Sequence, residues 1–370
     1  MTIAGYKPTP LDVLLFFVPV TMLCQWVIDV PDTAIFVVAC LAIIPLAGLM
    51  GKATEHLAGH YGPGIGGLMN ASFGNAAELI IAVMALSRSQ YEIVKASVAG
   101  SIIGNILLVL GLSLLLGGLK FRKQSFNETA AGVGSTLLAI SAIALVLPAL
   151  FVQFAGDIEA VPFEHMNLAI AIVLFATYAL SLVFSLKTHS HLFAGEDGHD
   201  HHDGPLWSQK RAIIMLVGAT LFVALMAEAM IHSVEHTAEQ WGMSKVFIGV
   251  VLVAVVGNAA EHSTAVLVAM KNKMDLSINI AIGSSIQIAL FVAPLLVFLS
   301  YAIGDHPMGL DFTVLEVVGV IAAVSVVCLI AHDGRSHWME GVMLLAVYVI
   351  LGIAFWYLPV SEGAAAITGH

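Results

Sequence analysis

Eleven stretches of this chain stay apolar for about the 20 residues that a helix needs to cross a bilayer. They lie near 11–29, 33–51, 63–86, 90–118, 129–152, 167–186, 211–232, 244–270, 274–301, 311–331 and 339–359. The runs are long and do not alternate with period two, so helices are favoured over a β-barrel. Only 11 % of the residues are charged and 59 % are hydrophobic, whereas a soluble domain carries about a quarter charged. The expected fold is an all-α integral membrane protein of eleven transmembrane helices. The lipid bilayer is then its first partner, and a net charge of −11 argues against nucleic acid. The first run ends without a small-residue cleavage site and reads as a span. Cys24, Cys40 and Cys328 lie in or beside apolar runs with no paired spacing, and read as small hydrophobes.

Lysine and arginine orient the spans. The N-terminus and the connections after even spans hold Lys7, Lys52, Lys120, Arg122, Lys123, Lys187, Lys210, Arg211, Lys271, Lys273 and Arg335, while the other side holds Arg88, Lys95 and Lys245. Eleven against three places the N-terminus in the cytoplasm and the C-terminus outside. One long polar connection, KTHSHLFAGEDGHDHHDGPLWSQK at 187–210, divides the chain. Its cluster His199, Asp200, His201, His202, Asp203 reads either as a metal- or pH-responsive element or as a solvated linker.

Residues 65–112 align with 248–295 at a constant offset of 183, without gaps and with sixteen of 48 positions identical. The identities include a contiguous G-N-A-A-E at 74–78 and 257–261 and a later Gly-Ser at 100–101 and 283–284. This is an internal repeat. Five spans separate the copies, so they cross in opposite directions, as in secondary transporters whose sites lie at the interface of inverted repeats. The expected organisation is a peripheral first helix at 1–30, a five-helix repeat at 31–186 (spans 2–6), the loop at 187–210 and a second repeat at 211–370 (spans 7–11).

Glu78 and Glu261 end the two G-N-A-A-E copies, well inside their spans, where an unpaired charge costs several kcal/mol. Such a carboxylate is tolerable when protonated, or when it faces a cation or a wet cavity. One Ca²⁺ or two protons would neutralise the pair. Calcium takes six to eight oxygens from carboxylates, amides, carbonyls and water. Asn75 and Asn258 stand three residues before each glutamate, Ser101 and Asn105 are a turn apart in span 4, and Ser284, Ser285 and Gln287 occupy the corresponding part of span 9. All of them offer oxygen. His262 has no counterpart in the first copy, where Leu79 stands, and reads as a proton relay or as a hydrogen-bonded structural residue. The alternative for the whole set is helix-to-helix pairing alone. Straight helices would leave the glutamates about 12 Å apart along the bilayer normal at about 1.5 Å per residue. One ion then requires either shifted span boundaries or helices tilted or broken at the glycines, and bent or broken helices are expected.

The segments GNAAELIIAVMAL, GSIIGNILLVLG, GNAAEHSTAVLVA and GSSIQIALFVAP together resemble the cation/proton exchanger (CAX) branch of the Ca²⁺/cation antiporter superfamily. The resemblance implies Ca²⁺/H⁺ antiport, with Glu78 and Glu261 as shared metal and proton sites and no separate cofactor. It also implies roles for His262, Ser284 and Gln287, a ten-helix core behind a less integrated first span, and oligomers in some members. A long autoinhibitory extension of the plant kind is not expected, and the short chain favours a prokaryotic plasma membrane. The alternative within the superfamily is a Na⁺/Ca²⁺ exchanger or another monovalent cation/H⁺ exchanger. A channel filtered by paired glutamates and a membrane metalloenzyme stand further off, since no H-E-x-x-H motif lies within the spans. Nothing in the residues separates Ca²⁺ from other divalent cations, and the transport chemistry expected is not enzymatic.

Overall fold

The computed structural model describes residues 10–154, 160–193 and 207–359. Lys7 and the histidine cluster at 199–203 lie outside the described residues. The chain forms helices α1 (Leu11–Trp26), α2 (Asp32–Ala58), α3 (Gly62–Phe73), α4 (Ala76–Ser87), α5 (Tyr91–Lys120) and α6 (Glu128–Val152). These are followed by α7 (Pro162–Thr188), α8 (Gln209–Trp241), α9 (Lys245–Ala269), α10 (Met274–Ser300), α11 (Val314–Ile330) and α12 (Trp338–Trp356). Eight of them, α2, α5 to α10 and α12, are long and apolar enough to cross a membrane. The protein is a predominantly helical, multi-pass membrane protein. Among the described residues its one β ladder is a two-residue antiparallel pair, Gln124–Ser125 with Arg335–Ser336.

Each apolar window of the sequence falls on a helix, with two departures that matter for the site. The window at 33–51 stops short of Lys52 and Glu55, yet α2 runs on to Ala58. A helix can carry its charged last turns beyond the hydrocarbon, where hydropathy no longer marks it. The window at 63–86 is two helices, because Asn75 leaves the helical region (φ −97°, ψ 30°) between α3 and α4. Gly74, the poorest helix former other than proline, sits at that break.

The connections gather at two ends. At one, Gln124 Nε2 donates to the Ala269 carbonyl (2.9 Å), Lys120 Nζ to the Met270 carbonyl (2.8 Å) and Asn127 Nδ2 to the Leu192 carbonyl (2.9 Å), and His60 pairs with the Trp207 carbonyl (2.7 Å). This end also holds the ladder and carries most of the described lysines and arginines, and is called the basic end below. At the opposite end, Ser89 donates to Asp305 (2.6 Å), Gln90 to Glu235 (2.9 Å) and Lys95 to Asp311 (3.1 Å), while Arg88 pairs with Glu228, Lys245 with Glu235 and His236 with Asp32.

The offset of 183 is visible in the backbone. α2 and α8 end at Ala58 and Trp241, α3 and α9 begin at Gly62 and Lys245, and α5 and α10 begin at Tyr91 and Met274. Ser89 (φ 56°) and Asn272 (φ 63°), one offset apart, are the only non-glycine residues in the left-handed region among those described. Wide π turns interrupt α5 at Gly104–Val109 and α10 at Ile288–Val292, again one offset apart within a residue. The copies differ in one respect. α9 stays helical through Gly257 and Asn258, and its π turn falls earlier, at Ile248–Val253.

The motif helices cross closely because glycine lets them. A β-carbon on Gly100 of α5 would collide with the backbone of Val250 in α9, and one on Gly249 would strike Ala96. That crossing brings the polar residues of α4, α5, α9 and α10 into one place in the centre of the bundle.

Candidate cation site

The break at Gly74–Asn75 sets Glu78 in the first turn of α4, where the helix dipole favours a carboxylate. Glu261 projects from the unbroken α9. Each side chain packs against the glycine of the other motif. The position a β-carbon would take on Gly257 is 3.3 Å from Glu78 Cγ and 3.6 Å from its Oε1. The corresponding position on Gly74 is 3.7 Å from Glu261 Oε1 and 3.2 Å from Gln287 Oε1. Each glutamate thus stands level with the glycine four residues before the other, which narrows the separation expected of straight helices. A helix is broken near the motif glycine, as one of the expected arrangements, but only in the first copy.

The other sequence-derived residues join in two hydrogen-bonded groups. Asn75 Nδ2 donates to Gln287 Oε1 (2.6 Å), the Ser284 hydroxyl donates to Asn75 Oδ1 (2.7 Å) and Asn105 Nδ2 donates to the Ser284 hydroxyl (3.0 Å). His262 Nε2 lies 3.0 Å from Asn105 Oδ1 and ends this chain. In the second group Asn258 Nδ2 donates to the Ser101 hydroxyl (3.0 Å) and to the Ala254 carbonyl (2.8 Å). Ser285, by contrast, turns back to the Ala281 carbonyl of its own helix (2.8 Å) and stays out of the set. All nine candidates, Glu78, Glu261, Asn75, Asn258, Ser101, Asn105, Ser284, Gln287 and His262, are thus drawn into one cluster spanning both copies.

Two oxygens of this cluster are buried and unpartnered, Glu261 Oε2 and Asn258 Oδ1. They belong to residues three apart on α9 and so share a helix face. A buried acceptor without a donor costs about 1–3 kcal/mol, and a proton or a cation removes that cost.

The two sides of the cluster differ in burial. Between Glu78 and the end opposite the basic end lies a cavity of about 10 Å³ lined by Ile81, Ala82, Val98, Val253, Ile288 and Val292. Each of those six side chains is at most 3 % exposed, and the space holds about one water. Toward the basic end, Asn70 and Phe73 of α3, Thr264 of α9 and Glu55 of α2 are exposed. Sequence reasoning missed Ser97, which lines the small cavity beside Glu78, because a lone serine in an apolar run carries no signal.

The sodium/calcium exchanger protein family matches residues 32–187 and 211–357. The chain belongs to this family. The unmatched 188–210 is the polar connection, and α1 lies before the match. Among relatives of this exchanger-family chain, the Ca²⁺/H⁺ antiporter of Aphanothece halophytica is 43 % identical over 363 residues, covering 94 % of this chain and 96 % of that protein. The Ca²⁺/H⁺ antiporter ChaA of Bacillus subtilis is 44 % identical over 331 residues, covering 89 % and 93 %. The solved structure of native YfkE is 40 % identical and superposes with a TM-score of 0.81, covering 94 % of this chain and all of that one. The H⁺/Ca²⁺ exchanger CAX shares the fold at 14 % identity, with a TM-score of 0.71 over 93 % of this chain and 91 % of that one.

Proposed function

We propose that this protein is a secondary transporter that exchanges Ca²⁺ for H⁺, with Glu78 and Glu261 binding either the metal ion or protons. The observation that carries this reading is the packing of Glu78 on Gly257 and of Glu261 on Gly74, which sets carboxylates from opposite-running helices in one cluster with unpartnered oxygens on Glu261 and Asn258. The names of the relatives, which are Ca²⁺/H⁺ antiporters at 43–44 % identity, point the same way. Ca²⁺ is the cargo here and no resident cofactor is needed. Asn75, Ser101, Asn105, Asn258, Ser284 and Gln287 would supply further oxygens, and His262 would hold Asn105 in place.

The proposed mechanism follows from the energetics of an empty site. Two ionised carboxylates closed off from water repel each other and lose hydration. Loading with one divalent cation, or with protons, removes both penalties, so only loaded forms close and cross. Exchange is then obligatory. Other divalent cations of similar size compete for the same oxygens. The layout supports eleven crossings in two inverted five-span repeats, α2–α7 with α3 and α4 together forming one crossing, and α8–α12, behind α1. The proposed placement is the plasma membrane, with the N-terminus and the basic end in the cytoplasm by the positive-inside rule, and the site open to that side.

Proteoliposomes loaded with a proton-sensitive dye test the reading. Adding Ca²⁺ outside should drive protons out of wild-type vesicles, and Glu78→Gln and Glu261→Gln should each abolish it. Coupled exchange that persists in either variant, or that follows a Na⁺ gradient in place of the proton gradient, would sink the proposal. The Na⁺ outcome would favour sodium/calcium exchange.

A further inference from the structure

Beyond the nine residues of the cluster, the register of two helices identifies a residue on the path into it. α2 and α9 run in the same direction, each ending at the basic end. They touch at Gly48, whose β-carbon would lie 3.4 Å from Ala260 Cβ, and Ala260 immediately precedes Glu261. Seven residues further along α2, two turns at about 1.5 Å per residue, the same face presents Glu55. Glu55 therefore stands about 9 Å nearer the basic end than Glu261 along parallel axes. Side chains lean toward the N-terminus of their helix, so its carboxylate tilts back toward the site. Glu55 is exposed.

The neighbouring surface strengthens the assignment. Between the two levels, Thr264 of α9 and Asn70 of α3 are exposed, while the opposite side of the cluster is closed by buried Ile81, Ala82, Val253, Ile288 and Val292. The same register in the second copy gives Ala238 where the first has Glu55. The acidic residue is therefore a property of one mouth and not of the repeat. Lys52, three residues before Glu55, adds a positive charge to the same segment of α2.

We infer that Glu55 is the capture residue at the mouth of the site, concentrating divalent cations at the basic end and passing them to Glu261. It does not join the bound-state ligands. It raises the local cation concentration by its field, an effect that salt screens over about 10 Å at 0.1 M. The inference rests on the exchange reading above, so its test must separate the two.

The test measures initial rates of Ca²⁺-driven proton movement in proteoliposomes of known orientation, with Ca²⁺ presented at the basic end or at the opposite end. Glu55→Gln should raise the KM for Ca²⁺ by about three- to tenfold at the basic end, the scale expected for one charge acting on a divalent ion about 10 Å away. KM at the opposite end and the maximal rate should stay within about twofold, since no bound-state contact is removed. The effect should shrink as choline chloride is raised, and Glu55→Asp should restore KM. An unchanged KM for Glu55→Gln, an equal loss from both ends, or a loss indifferent to salt overturns the inference. If wild type itself shows no Ca²⁺-coupled proton movement, the exchange reading falls. If wild type exchanges and Glu55→Gln matches it, only the role of Glu55 falls.

Discussion

Glu78 rests on Gly257, its Cγ 3.3 Å from where a β-carbon would stand, and Glu261 stands 3.7 Å from the same position on Gly74. Each G-N-A-A-E motif thus supplies both a carboxylate and the gap that receives the other carboxylate. The glycine of the motif is a steric partner across the repeat interface, and not only a point of flexibility within its own helix.

Alanine at these two glycines should therefore act on the site unequally. At Gly257 the added carbon meets a flexible glutamate side chain, which shifts by a few tenths of an ångström. At Gly74 it would come 2.8 Å from the Asn70 carbonyl and 3.2 Å from Gln287 Oε1, so backbone must move. Gly257→Ala should weaken Ca²⁺ binding by about tenfold, within the 1–3 kcal/mol typical of overpacking, and Gly74→Ala by more. Isothermal titration in detergent checks the order. Equal affinities in both variants and wild type would remove the reciprocal role.

Gly100 and Gly104 lie one turn apart in α5 and should give opposite results. A β-carbon at Gly100 would run into the Val250 backbone, where nothing flexible can yield, whereas nothing lies within 4 Å of one at Gly104. Gly100→Ala should lose about 1–3 kcal/mol and unfold at a clearly lower temperature in detergent. Gly104→Ala should be neutral or gain up to about 1 kcal/mol from its better helix propensity. Thermal unfolding followed by circular dichroism distinguishes them.

Much of this was legible in the sequence. Long apolar runs give the helices, the offset of 183 gives the repeat, and the cost of a buried charge singles out Glu78 and Glu261. What was not legible depends on contacts between helices. The Asn75–Gln287 and Asn105–Ser284 bonds join residues more than 170 apart, and nothing local announces them. The broken first copy and continuous second copy share the motif G-N-A-A-E, so the motif alone does not decide the break. The extension of α2 through Glu55 to Ala58 was hidden because charge ends a hydropathy window without ending a helix.

Ser284 links the two halves of the polar chain, accepting from Asn105 and donating to Asn75. Ser284→Ala leaves one buried amide donor and one buried amide acceptor unpaired. The expected loss is about 1–3 kcal/mol, seen in thermal stability and in Ca²⁺ affinity together. Ser285→Ala is the control, because that hydroxyl bonds only its own helix and its loss leaves no partner in another helix unpaired, so both quantities should shift less than in Ser284→Ala. A Ser284→Ala variant no different from Ser285→Ala would show that the chain does not brace the site.

The dependence on pH has a definite sign. Protons and Ca²⁺ compete for Glu78 and Glu261, so raising pH removes the competitor and strengthens metal binding. While the carboxylates remain protonated, each proton released per ion adds about one decade of apparent affinity per pH unit. Once both are ionised, affinity reaches a plateau and pH no longer matters. Replacing Glu78 with Gln removes one of the two titrating groups and should lower the slope by about one, besides weakening binding. Titrations with Ca²⁺ at a series of pH values in wild type and Glu78→Gln measure both slopes. Parallel lines would mean that Glu78 does not carry an exchanged proton, and the coupling would then have to pass through Glu261 alone.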